Sequence, residues 1–180
     1  MREAPRRSVV TGIAVVQLLA IGLWASGLLT LGAVVAPIVF HVVPAPSSAD
    51  AMTLVFRRFD GIAITCAAIA LVAEAAFAMR GGRVTRGDVV RGGALVLATA
   101  LAITIGAWLS PGIAELHRSG AIRGLGDAGL ALERMHHLAE RLAKGELALL
   151  LAVFILTVVK ATRHHSGGTL PAQDVSDADS

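Results

Sequence analysis

The side chains of this 180-residue chain that could do chemistry stand beside long apolar runs, not in a polar domain. They are His41, Arg57, Arg58, Asp60, His117, His136, His137 and Glu140, with Glu74 set inside an apolar run. Imidazole binds metals and changes charge near neutral pH; arginine and carboxylate form ion pairs or hold anions. His136 is the most pointed of the set. Leu132, His136, Ala139 and Ala143 share one helical face by spacings of three and four, whereas His137 shares a face with Glu133, Glu140 and Lys144. His136 is therefore expected to turn inward. There it could bond across helices, ligate heme, copper or another metal, or act as a pH-sensitive or substrate-contacting group. His41 and His136 are the two candidates for a metal, but no His-x-x-x-His spacing accompanies them. Arg57 and Asp60, three apart, fit an ion pair that clamps helix ends, or an anion or headgroup site. His41, Arg57, Asp60 and His136 together form the candidate polar site.

Glu74 is read as snorkelling toward an interface near Arg80, or as a proton or cation site. Met52 and Met135 serve as apolar fill or as soft ligands. Trp24 and Trp108 read as membrane packing or interface residues, and the lone Cys66 as a small core residue.

The elements that must carry these groups are membrane helices. From Ser8 to Ala49 there is no Asp, Glu, Lys or Arg, and about 20 apolar residues suffice to cross a bilayer core as a helix. The chain is 55% hydrophobic and 16% charged, with mean hydropathy +0.71; soluble domains carry about 25% charged residues. The first run is too long for the core of a cleaved signal peptide, about 7–15 residues. The net charge of +3 does not point to nucleic acid, because the basic residues sit in short clusters beside apolar runs, as membrane topology requires. No glycine-rich loop followed by Lys-Ser/Thr suggests a nucleotide, and no arrangement suggests a hydrolase or kinase.

The expected architecture is an all-α bundle of four transmembrane helices with short helical extensions on the outer side. The spans are about 9–35, 60–79, 92–110 and 142–161, within a membrane domain of 9–162. A basic amino terminus (1–8) precedes it, and a polar, disordered tail (163–180) follows. Pro37 is expected to bend or end span one. The Pro44-Ala-Pro46 turn and a cap from Ser47 or Ser48 open a helix that begins outside the lipid. Pro111 closes span three, with the helix continuing toward His117. The fourth helix starts near Asp127. Arg2, Arg6 and Arg7, then Arg80, Arg83, Arg86 and Arg91 against Asp88, then Lys160 and Arg163, alternate as the positive-inside rule asks for a multi-pass protein of the cell membrane with both termini cytoplasmic. His41, Arg57, Asp60, His117 and His136 would then gather at the outer face. Small residues every four positions, as in Ala94, Ala98, Ala102 and Gly106, in Gly22 and Ser26, and in Ala148 and Ala152, allow close helix contact within the bundle or a homo-oligomer seam.

One stretch carries a family resemblance. Gly32-Ala-Val-Val-Ala36-Pro37-Ile-Val-Phe40 resembles the Ala-Pro-x-x-Phe turn of the transmembrane protein 205-like family. Val55-Phe56-Arg57-Arg58-Phe59, Pro111 and Met135-His136 stand where that family has a Phe-and-basic helix, a proline closing span three and a Leu-His pair. The likeness covers about 12–157, with Ala139 and Ala143 in place of the family's frequent Ser and Asn. It implies a small four-helix membrane protein filed as a domain of unknown function, with distant similarity to copper-resistance D-type membrane domains. The expected function is a non-enzymatic role in membrane transport, tolerance or organisation. The alternative is a heme- or copper-binding redox or metal-handling protein. The expected partners are the lipid bilayer and a second copy or another membrane protein, with no catalytic residue assigned.

Overall fold

Two prolines stand inside membrane-length helices, and neither stops its helix. The computed structural model describes residues 4–44, 46–80 and 85–166. Span one is α1 (Ala4–Thr30), a π-helical turn (Leu31–Val35) and α2 (Ala36–Val42). Span two is α3 (Ser47–Met79). Span three is α4 (Arg86–Thr104), a second π-helical turn (Ile105–Leu109) and α5 (Ser110–Arg118), and span four is α6 (Gly126–Ser166). Proline lacks an N–H and its ring crowds the carbonyl four residues back. Each chain widens by one residue just before it meets that problem. The Ala36 N–H reaches back to the Leu31 carbonyl and the Ser110 N–H to the Ile105 carbonyl, so the helix continues past Pro37 and Pro111.

The two π turns share a sequence. Thr30-Leu-Gly-Ala-Val-Val-Ala-Pro37 and Thr104-Ile-Gly-Ala-Trp-Leu-Ser-Pro111 match at Thr, Gly, Ala and Pro, so the two halves of the bundle carry the same local device in spans one and three. Of the expectations that Pro37 bends or ends span one, the ending is corrected: the helix runs on to Val42 and turns only at Val43 and Pro44.

The four spans run up and down. α1 packs on α3, α3 on α4, α4 on α6, and α6 back on α1, closing a ring of four neighbours. All four are long and apolar enough to cross a membrane: Val9–Val42, Ser47–Met79, Arg86–Arg118 and Gly126–Thr162. The outward faces carry large apolar side chains such as Leu19, Leu23, Val72, Val96, Trp108 and Ile155. Together with the length of the helices, this makes the chain a multi-pass membrane protein. The interior is built largely of small residues. Ala63, Cys66, Ala67, Ala70, Ala98 and Ala102 are buried with Ile21, Trp24, Leu95, Leu150 and Val153. Small side chains let backbones approach where lipid supplies no hydrophobic drive between helices. Of the expected small-residue stripes, that of Ala94, Ala98, Ala102 and Gly106 turns inward, whereas Ser26, Ala148 and Ala152 lie on outward faces.

The helix starts also differ from expectation. Pro46, not Ser47 or Ser48, occupies the position before α3, and no side chain caps it. α4 begins at Arg86, where Thr85 and Asp88 form a reciprocal capping box. α6 extends to Ser166, so residues 163–166 continue the helix where a disordered tail was expected. The rest of that tail (167–180) and residues 1–3 lie outside the described residues.

Candidate functional site: polar groups inside the bundle

The buried stripe of each span repeats in steps of three and four, and each stripe contains a polar residue. On α1, Gln17 precedes Ile21 and Trp24; on α4, Arg91 precedes Leu95, Ala98 and Ala102; on α6, Glu146 lies between Leu132 and Leu150, with Thr157 beyond Val153. Gln17, Arg91, Glu146 and Thr157 are all buried. Thr157 is satisfied within its own helix, donating to the Val153 carbonyl at 2.8 Å. The others bond between helices.

At the end where the termini lie, Glu74 of α3 is held from two sides. Arg91 donates through Nε to Oε2 at 3.0 Å and through Nη2 to Oε1 at 2.8 Å, a fork-on-fork pair. Gln17 Nε2 donates to Oε2 at 2.9 Å. Asp88 lies 3.5 Å from Arg91 and also accepts a hydrogen bond from Lys160 of α6. The Phe77 ring sits under both cations, 5.7 Å from Arg91 Cζ and 5.6 Å from Lys160 Nζ. This network ties all four spans together. Glu74 therefore does not snorkel toward Arg80: its charge is met by Arg91, which lies inside the bundle at 2% exposure instead of in the basic loop. Among the described residues the buried Gln17 Oε1 atom has no hydrogen-bond partner.

The second interior group lies about 10 Å further along the axis, seven residues on in α1. There Trp24 Nε1 donates to Glu146 Oε1 at 2.7 Å, and both residues are buried. Among the described residues no Lys, Arg or His lies within ion-pair distance of Glu146.

Asp60 itself belongs to the far end. It accepts a hydrogen bond from Ser110 Oγ at 3.1 Å, and the backbone of Gly106 packs on it so closely that an added Cβ would meet Asp60 Cβ at 3.3 Å. The expected Arg57–Asp60 clamp is corrected: Arg57 and Arg58 point outward and Asp60 turns inward to the π turn of span three. A residue three positions away on a helix can share a face, but here the Gly106 gap draws Asp60 to the neighbouring helix.

His136 is half-buried on the inner face, as its spacing implied, and its ring meets that of His117 edge-on, with centroids 5.8 Å apart. His137 is exposed, with Glu133 and Glu140 each 3.8 Å away. His41 is exposed at the end of α2, so the structure joins His136 to His117 and not to His41. Of the turn residues, Ala36 is half-buried while Pro37 and Phe40 face outward. Met135 packs its terminal methyl against Gly112. Among the described residues no three His, Cys, Asp or Glu side chains converge as a metal site would require.

Sequence reasoning missed Glu146, Gln17, Arg91 and the donor role of Trp24. The signal was present: extending the Leu132, His136, Ala139, Ala143 stripe by one step of three reaches Glu146, and one further step of four reaches Leu150.

Comparison with known proteins returns no significant match among curated proteins or solved structures. A family model does match, over residues 19–121, more than half the chain, reaching from α1 past the end of α5. The matched stretch holds Trp24, Asp60, Glu74, Arg91 and both π turns, and the chain belongs to the family described as domain of unknown function DUF4149.

Proposed function

We propose that this is a transport-type protein of the cell membrane, non-enzymatic, with both termini in the cytoplasm. The observation that carries this reading is the polar interior. Glu74, Glu146 and Asp60 stand at successive levels of a bundle whose outer surface is apolar. Ionisable groups inside a membrane are costly, and where they occur they mark ion and substrate paths. The basic segments at Arg80–Arg91 and after span four support the orientation. The turn residues Ala36-Pro37 with Phe40, and Met135-His136, support the finer kinship with transmembrane protein 205-like proteins. The test is reconstitution into liposomes with an imposed potassium diffusion potential and a trapped pH dye. Protein-dependent proton flux is expected; flux equal to that of empty liposomes would overturn the transport reading. Reporter fusions at the carboxyl terminus and near Ser119 are expected on opposite sides of the membrane.

A second reading has one specific observation in its favour. The His117–His136 contact places two imidazoles at one end of the bundle, where they could share a copper ion or face a heme. Stoichiometric metal or a Soret band in the purified protein, lost in His136→Gln, would establish it.

A further inference from the structure

Glu146 is an interior carboxyl with no cation paired to it among the described residues. It lies in the middle of α6 on the face that packs against α1, at 2% exposure, and a neutral indole is the donor the structure gives it. An ionised carboxylate has room for about four hydrogen bonds and is stabilised by cations or by several donors. Glu74 has both, from Arg91 and Gln17; Glu146 has neither. The charged groups on the packed elements do not change this. α1 carries none in its described membrane part. On α3, Glu74 is taken up by Arg91, and Asp60 has the same sign as Glu146. On α4, Arg91 is turned to Glu74 and Asp88. On α6 itself, Lys144 is exposed and paired with Glu140, and Lys160 is bound to Asp88.

We infer that Glu146 is a proton-binding site within the membrane. The step is a proton transfer alone: the Glu146 O–H bond breaks as its proton passes to solvent water, and the return reverses it. Trp24 holds the carboxyl in place in both states, because an indole N–H donates and cannot take the proton. This inference names the ion for the transport reading above and rests on it, but the carboxyl can be read directly.

Dicyclohexylcarbodiimide is the probe. It adds whole to a protonated carboxyl in an apolar setting, with nothing leaving, and so marks the residue by mass. Full-length protein in liposomes is treated from acid to alkaline pH and mapped by peptide mass. The expected result is an adduct at Glu146 at least an order of magnitude above that at Glu74, falling as pH rises and absent in Glu146→Gln. Trp24→Phe removes the indole donor and is expected to raise labelling at Glu146 several-fold, which keeps the test open if Glu146→Gln does not fold. No adduct at Glu146 at any pH, or labelling equal to that of Glu74, overturns the proposal. Glu146 labelling without proton flux would sink the transport reading and leave the proton site standing. Flux with Glu146 unlabelled would do the reverse.

Discussion

Glu74 and Glu146 are both glutamates on apolar helices, both turned into the same bundle, and the molecule treats them differently. Glu74 lies near a helix end, within reach of Arg91 on the next span and Gln17 on the first, and its charge is matched by a bidentate guanidinium. Through Asp88 the same network extends to Lys160 on α6. Glu146 lies deeper, where a cation would have to be buried with it, and among the described residues it bonds only to the Trp24 indole. The difference teaches that a carboxyl in a membrane bundle is structural when a fixed cation shares its burial. When its partner is a neutral donor, its charge state remains free to change.

That comparison can be broken most forcefully at the termini end. Arg91→Leu leaves the Glu74 charge buried without its cation, and breaking such a pair costs about 3–5 kcal/mol. A large fall in thermal stability in detergent is expected, with Glu74→Gln also strongly destabilising. The double replacement by leucine should recover most of the loss, since a buried pair exchanged for apolar packing is often neutral. Wild-type stability in Arg91→Leu would show that the network locks nothing.

Packing just beyond the Trp24 level gives the next effect. A Cβ on Gly27 would stand 2.2 Å from Phe59 Cε2, so Gly27→Leu forces α1 and α3 apart; overpacking of this kind costs about 1–3 kcal/mol. An unshifted melting transition would mean that Phe59 simply swings aside.

The comparison sharpens at Glu146. Trp24→Phe removes a buried hydrogen bond worth about 1–2 kcal/mol. Glu146→Gln keeps an acceptor for the indole and is expected to cost less than about 1 kcal/mol. Its melting temperature should stay close to wild type where that of Glu74→Gln falls. Equal losses in the two glutamine variants would erase the distinction between the glutamates. The smallest effects belong to the histidines. His136→Ala loosens the contact with His117 and should lower stability slightly, while His137→Ala should leave the melting curve unchanged.

Much of this was legible in the sequence, for reasons that are local. The charge-free run from Ser8 to Ala49 and three further apolar stretches fix four membrane helices, because a helix satisfies its own backbone wherever water is absent. Spacings of three and four placed His136 inward and His137 outward, and the structure keeps both. What the sequence could not decide was partnership. Arg91 read as a loop charge because it stands next to Gly92 and among other arginines; only the packing of α4 on α3 brings it to Glu74. Asp60 had Arg57 on its own helix and Ser110 fifty residues away, and the close approach allowed by Gly106 chose Ser110. Pro37 looked like a bend or a helix end, but the helix widens by a π turn before it and runs on, as it does before Pro111. Trp24 and Glu146 stand 122 residues apart, and no periodicity links them. Helix formation depends on neighbours in sequence, which a single chain displays. The pairing of interior polar groups depends on which helices meet and at what height, and that exists only once the bundle has closed.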